Sequence, residues 1–323
     1  TEASVRMSDE DVIKWLDNNG FSTPMIRRYG EWLGVLPGWV KTLDTGEVRG
    51  RCIAKGQDPA TADRFCGLLQ GDWGTSTVFK KPVTEILARA LGQTGWLMLA
   101  VMLVMVPTSL TLGVLSGMRE GSRTDRVLST FAIVTTATPE YVSGVIFVAL
   151  LASATTGLSP MLAEAGWIEG KTLFMGTATS AMDDITFWNF TLPVMTIALY
   201  GIGYIARMTR ASMTEVMTAQ YIRTARLKGV SFRQVVMKHA LRNALIAPFT
   251  VIMLQFPWLL NGVVIVETLF NYKGFGWTLV QAAGNNDIEM LLGCSVVAVF
   301  LVLVTQLISD VGYVILNPRI RLS

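Results

Sequence analysis

The side chains able to do chemistry are few in this chain and stand far apart. The only histidine is His239, in a strongly basic stretch. It has no neighbouring nucleophile or paired carboxylate to work with, and no zinc-protease helix or serine elbow is written anywhere. A phosphate-cradling run of the G-x-x-x-x-G-K-[ST] kind is also missing, so the chain is not expected to hydrolyse ATP. Cys52 and Cys66 lie in a polar N-terminal region, and Cys294 in an apolar one. Outside the cytosol the first two can bridge, which in the chain-entropy account is worth on the order of 3 kcal/mol for a loop of this size. Two unrelated buried thiols are the alternative. Two carboxylates complete the set, Glu140 inside a long apolar stretch and Glu267 at the end of another. An ionisable residue in such a place is a candidate for lining a polar path, where it meets a cationic group on a solute. Glu140 can instead sit at a helix end or accept a bond within a bundle, and Glu267 can hold a loop through backbone amides.

The elements that must carry these residues are membrane spans. Hydrophobic residues make up 51% of the chain and charged ones only 16%, and the mean hydropathy is +0.45. That balance, with the apolar residues in long runs, excludes an ordinary soluble domain. The stretches Gly95 to Met118, Val127 to Ala154, Phe190 to Ala206, Leu245 to Val266 and Met290 to Leu316 are each read as a crossing of a hydrocarbon core about 30 Å thick. Pro107, Pro139, Pro248 and Pro257 mark expected kinks or breaks. Arg119, Arg123 and Arg126 follow the first stretch, Arg207 and Arg210 the third, and Arg319 and Arg321 the last, which places those ends in the cytosol. Asp310 lies near the last of them, within reach of water or an arginine. The connection from Thr155 to Trp188 carries Glu164, Glu169, Asp183 and Asp184 against Lys171 alone and belongs outside. Residues 1–94 read as a folded extracytoplasmic region of helices and loops. Ser8 with Asp11 opens one helix there, and Thr23 before Pro24 caps a second; residues 95–323 form the transmembrane domain.

Between the third and fourth stretches, residues 207–243 are basic, with Glu215 the sole carboxylate. Tyr221 to Lys228 favours a helix, Gly229 suits the left-handed residue that ends it, and Ser231 with Gln234 predicts a capping box opening a second helix. Val230 and Val235 form the accompanying hydrophobic staple. A DNA-binding helix-turn-helix has similar composition but needs a soluble domain around it, so no nucleic-acid partner is expected. A pair of helices resting on anionic lipid, or a dock for a cytosolic protein, are the readings that fit between two spans.

The run Tyr221-x-Arg223-Thr224-Ala225-Arg226-x-Lys228-Gly229, followed by His239-Ala240-Leu241-Arg242-Asn243-Ala244-Leu245 and Pro248, resembles the cytoplasmic EAA loop of binding-protein-dependent ABC-importer permeases. The dipeptide, oligopeptide and nickel branch is the most similar. Further matches stand at Gly262, Ile265-Val266-Glu267-Thr268, Gly274-x-Gly276 and Pro318-Arg319-Ile320-Arg321, and Asn317 replaces the aspartate usual before that proline. The resemblance implies an all-α integral membrane protein with the type I importer permease fold, five spans visible here. The family's first of six, ahead of the polar region, is not in this sequence. It implies that the first short helix, Tyr221 to Gly229, docks into an ATPase subunit, with Ala225 allowing close approach, and with Arg223, Arg226 and Lys228 either paired with carboxylates there or simply solvated. It further implies a second permease, two cytosolic ATPases carrying ATP and Mg²⁺, an extracytoplasmic solute-binding protein and surrounding lipid of a bacterial inner membrane. This chain itself would bind no cofactor. Peptide is the expected solute, with nickel, a sugar or an opine as alternatives. A membrane scaffold whose basic loop recruits a signalling protein is the reading from a different class.

Overall fold

The computed structural model describes residues 8–43, 46–53 and 57–316. The predicted tail at Pro318 to Arg321, and Asn317 before it, lie outside the described residues. The chain divides into two compact units, one of Thr1–Ile86 with Ala282–Gly293 and one of Leu87–Gln281 with Cys294–Ser323. That division differs from the expected boundary at residue 94. The helix Val83–Gly117 runs unbroken past it, and the short 282–293 segment belongs with the N-terminal residues.

In the first unit, α1 (Asp9–Asn18) begins as expected, with the Ser8 hydroxyl accepting from the Asp11 amide. Its Trp15 stacks on Phe21. The next helix, α2 (Met25–Leu33), corrects the predicted cap: Pro24 occupies the capping position and no side chain serves it. Thr23 instead donates to the Gly20 carbonyl, because proline at the cap fixes the chain direction without needing a side-chain acceptor. The region is also not purely helix and loop. Strands β1 (Val40–Thr42) and β2 (Val48–Gly50) pair antiparallel, Val40 opposite Gly50. Three-residue strands of mixed polarity give no period that a sequence can reveal. Cys52 and Cys66 are joined in a disulfide. Buried Asp287 accepts from the Ser76 hydroxyl and from the amides of Val78 and Met290, which knits the 282–293 segment to the rest of this unit.

The second unit is a helical assembly. Its elements are the body of α3 (Val83–Gly117), α4 (Arg123–Ala137), α5 (Glu140–Phe147) with a π-helical extension Val148–Ala152, α6 (Leu158–Glu164) and α7 (Phe187–Thr218). They are followed by α8 (Gln220–Leu227), α9 (Phe232–Gln234), a π-helical stretch Val235–Ala240, α10 (Leu241–Ala244), α11 (Ile246–Leu269) and the parts outside 282–293 of α12 (Phe275–Gly284) and α13 (Ile288–Leu316). Of the most apolar window in each long helix, 72% is buried in α7 against 28% in α3 and 11% in α13. The second unit is therefore built around α7, and α13 keeps an apolar surface suited to lipid. Helices α4, α5 and α11 pack on α7, while Leu97, Val101 and Met105 of α3 join Ile197, Ile202 and Ile205 of α7 in one core. Gly203 lets α4 approach α7 closely, since a Cβ there would stand 2.2 Å from the Thr135 hydroxyl.

The five expected spans divide into two kinds. Three are single helices long and apolar enough to cross a membrane, Val83–Gly117, Phe187–Thr218 and Ile288–Gly312. The others are bent pairs, Arg123–Ala137 with Glu140–Ala152 at 103° and Phe232–Ala244 with Ile246–Gln255 at 48°. The first bend falls at Pro139, which has no amide to continue the ladder and holds Thr138 extended. The second precedes Pro248. Helix α7 continues through Arg207 and Arg210 to Thr218, so the basic segment from 207 begins as helix and becomes a corner only at Ala219.

Candidate functional site

The corner after α7 is assembled from a small apolar cluster. Ala219 turns extended, closing α7 and opening α8. Ile222 of α8 is fully buried with Met213, Val235, Val236, Ala240 and Ala244. The Ser212 hydroxyl donates to the Ala244 carbonyl, and Asn243 donates to the Tyr221 hydroxyl at 3.0 Å. These contacts clamp α8 by one face. Away from that face stand Arg223 and Thr224, both exposed, and Leu227, 81% exposed; Arg226, one turn on from Ile222, and Lys228, at the helix end, are exposed at its margins. Among the described residues, Arg223, Arg226 and Lys228 form no ion pair.

Gly229 takes the left-handed conformation, φ +76°, and the Val230 amide bonds back to the Ala225 carbonyl, a turn that a Cβ would strain. The capping box predicted at Ser231 and Gln234 is not formed: Ser231 precedes α9 without a side-chain bond. The chain there winds directly into the π-helical stretch, where Val235 takes a bond from its amide to the Ser231 carbonyl, so the backbone supplies what the side chains were expected to. Val235 is buried and Val230 packs on the same cluster, the geometry of the staple. Ala225 is half-buried against this cluster as well, so its small side chain faces its own corner at least as much as the exterior. Phe232 lies under two guanidinium groups, with Arg119 at 5.5 Å and Arg226 at 6.0 Å from its ring centroid.

An ion pair to a buried carboxylate, missed by the sequence reading, braces the helices beside this corner. Arg210 of α7 holds Asp125 of α4 in a bidentate pair, 2.6 Å and 2.8 Å. Asp125 also accepts from the hydroxyls of Ser116 and Ser129 and from the Gly121 amide. Every lone pair direction of the carboxylate is thus engaged, which a buried charge requires. The signal was present in Ser122-x-x-Asp125, a helix-opening pattern whose serine accepts from the Asp125 amide; its arginine partner lies 85 positions on.

The two path candidates occupy unlike surroundings. Glu140 is the first residue of α5, just past the 103° bend and half-buried, its side chain forming no hydrogen bond to another described residue. Glu267 is fully buried. Its carboxylate accepts from the Thr94 hydroxyl and, at 3.0 Å, from the Trp277 amide; Thr94 in turn accepts from the Phe275 amide. Gly274 leaves the room this needs, since a Cβ there would stand 2.1 Å from the carboxylate. Tyr272 donates to Gln93. The end of α11, the turn after it and α3 are thereby latched together. Asp310 of α13 accepts from Gln306.

Comparison with known proteins agrees with this architecture. Residues 109–322 match the family described as the binding-protein-dependent transport system inner membrane component. The probable peptide ABC transporter permease protein y4tP of Sinorhizobium fredii is 33% identical over 79% of this chain and 77% of its own length. The oligopeptide transport system permease protein AppB of Bacillus subtilis is 29% identical over 98% of this chain and 87% of its own. The glutathione transport system permease protein GsiC of Pectobacterium atrosepticum is 33% identical over 79% and 76%. A solved structure described as an amino acid ABC transporter with histidines superimposes with a TM-score of 0.51 at 15% identity, covering 71% of this chain and 94% of that one. That likeness speaks for the fold, a type I importer permease, and the family match over 109–322 takes in the α8 corner, the Asp125–Arg210 brace and Glu267. The chain belongs to the family of inner-membrane components of binding-protein-dependent transport systems.

Proposed function

We propose that this permease takes up short peptides as one of two related membrane subunits, driven by two cytosolic ATPases and fed by an extracytoplasmic binding protein. The observation that carries the reading is α8: a short helix clamped through Ile222 on one face, with Leu227 and Arg223 exposed away from it and Arg226 and Lys228 exposed at its margins. A surface of one apolar knob ringed by cations suits a cleft lined with carboxylates on a partner. Tyr221, Thr224, Ala225 and Gly229 shape that helix. ATP and Mg²⁺ belong to the partner subunits. The relatives' peptide and glutathione names favour a peptide solute, glutathione being itself a tripeptide.

In this reading α8 and the C-terminus lie in the cytosol and residues 1–94 outside, in a bacterial inner membrane. ATP-driven closure of the ATPases moves α8, and the Asp125–Arg210 brace carries that motion into α4 and α7 as a rigid body. Glu140, at the break in its span, is the path residue that meets a cationic solute group; Glu267 holds the gate region in shape.

Reconstitution of the four-subunit importer with its binding protein tests the proposal. Leu227→Asp and Arg226→Glu should each lower peptide-stimulated ATP hydrolysis at least tenfold while the permease still inserts. Full stimulation in both would remove the docking role from α8. Glu140→Gln should slow uptake of peptides at limiting concentration, and unchanged uptake at both limiting and saturating peptide would remove the path role from Glu140.

A further inference from the structure

The first unit contains an open cavity of about 400 Å³ that the importer reading does not use. It is lined by Arg51, Cys52, Ile53, Asp72, Gly74, Thr75 and Glu289. Volumes of this size, in the range of roughly 300–1,000 Å³, hold small molecules. Two of its lining residues carry unusual polar atoms. The Nε of Arg51 and one carboxylate oxygen of Glu289 are buried and have no hydrogen-bond partner. Such groups are rare because leaving them unpaired is costly, and each calls for an occupant. They do not satisfy each other, although the Arg51 charge is near enough to act on the Glu289 carboxylate.

The wall is shaped to hold them there. Gly74 has φ +78° and a Cβ at its position would stand 2.7 Å from the free Glu289 oxygen, so only glycine lets that carboxylate come up to the turn. The Asp72 side chain accepts from the Gly74 amide and fixes the turn. On the other side, the Cys52–Cys66 bridge anchors the residue next to Arg51. Among the described residues no cluster of three or more potential ligands is placed to hold a metal ion. The cavity therefore offers one guanidinium, that of Arg51, and two carboxylates, that of Asp72 bonded to the Gly74 amide and that of Glu289 with one oxygen unpaired.

We propose that this cavity binds a small zwitterion, an amino acid or short peptide, with its carboxylate toward Arg51 and its ammonium toward Glu289. Guanidinium pairs with carboxylate through directed N–H donors, and an ammonium satisfies the carboxylate oxygen that has no protein donor. The zwitterion is inferred from these two side chains and not from the importer reading.

The test uses the full chain in lipid nanodiscs and titration calorimetry with dialanine, N-acetyl-dialanine and dialanine amide. Dialanine should bind saturably. N-acetylation and amidation should each weaken it at least tenfold. Arg51→Gln should weaken dialanine to the level of the amide without weakening the amide further, and Glu289→Gln should do the same for the N-acetyl peptide. Ile53→Trp fills the cavity while keeping both charges and should abolish binding, which separates this site from any peptide site along the membrane path. No binding to the wild type, equal binding of the capped peptides, or undiminished binding to Ile53→Trp would each overturn the proposal. Peptide uptake by the complete importer, measured in parallel, reports on the transport reading alone.

Discussion

Two groups of charges stand close together in the sequence of this permease and are used in opposite ways. Arg210 is turned inward, paired with a buried carboxylate that has three further donors around it. Arg223, Arg226 and Lys228 are turned outward with no ion pair among the described residues. The difference teaches how a corner can be both rigid and available. The carboxylate that fixes the helices is buried and fully bonded, and holds Arg210 against it, whereas the charges of α8 keep their water until a partner displaces it.

Substitutions can break that contrast. Arg210→Met leaves Asp125 buried without its cation, and removing one member of a buried pair costs about 3–5 kcal/mol. Thermal unfolding of the purified chain should show that loss, with partial recovery in Arg210→Met/Asp125→Asn; equal stability of the single variant and wild type would mean the pair is not a brace. Ile222→Ala removes the apolar anchor of α8 and should cost about 2–4 kcal/mol by cavity formation. If instead it leaves stability untouched, α8 is not clamped by that face. Glu267→Gln replaces one acceptor oxygen of the latch by a donor and should cost about 1–3 kcal/mol, with faster hydrogen exchange at the Trp277 amide; protection as strong as in wild type would argue against the latch. At the other extreme, Arg223→Gln and Lys228→Gln should change stability by less than about 0.5 kcal/mol, and a larger loss would show that α8 uses its charges internally after all.

Much of the fold could be read from the residues because apolar runs of membrane length have few alternatives. The spans, the basic corner at Tyr221 to Gly229, the left-handed Gly229 and the Ser8 cap are all local statements, legible from neighbouring residues. What stayed hidden depends on distant partners. Arg210 looked like one more charge of a basic block because Asp125, which draws it into the protein and lets α7 run on to Thr218, is far away in the chain. Glu267 looked equally fit for a path or for a latch until Thr94 and Trp277 were brought to it. Ser231 and Gln234 spelled a capping box that the π-helical winding at Val235–Ala240 made unnecessary. The exposed Leu227 was passed over because a single leucine on a short helix is ordinarily counted as core.

The break at Pro139 has a consequence for what surrounds the chain in a bilayer. Helix α4 has 15 residues, a rise of about 22 Å, which is shorter than the hydrocarbon layer of about 30 Å. With α5 leaving at 103°, the backbone carbonyls freed at the turn have no continuing helix to accept them, and lipid tails offer no donors. Broken helices persist at membrane depth only where the break faces protein or water. At membrane depth this break therefore needs protein or water beside it and not lipid, and Glu140 is the first residue beyond it.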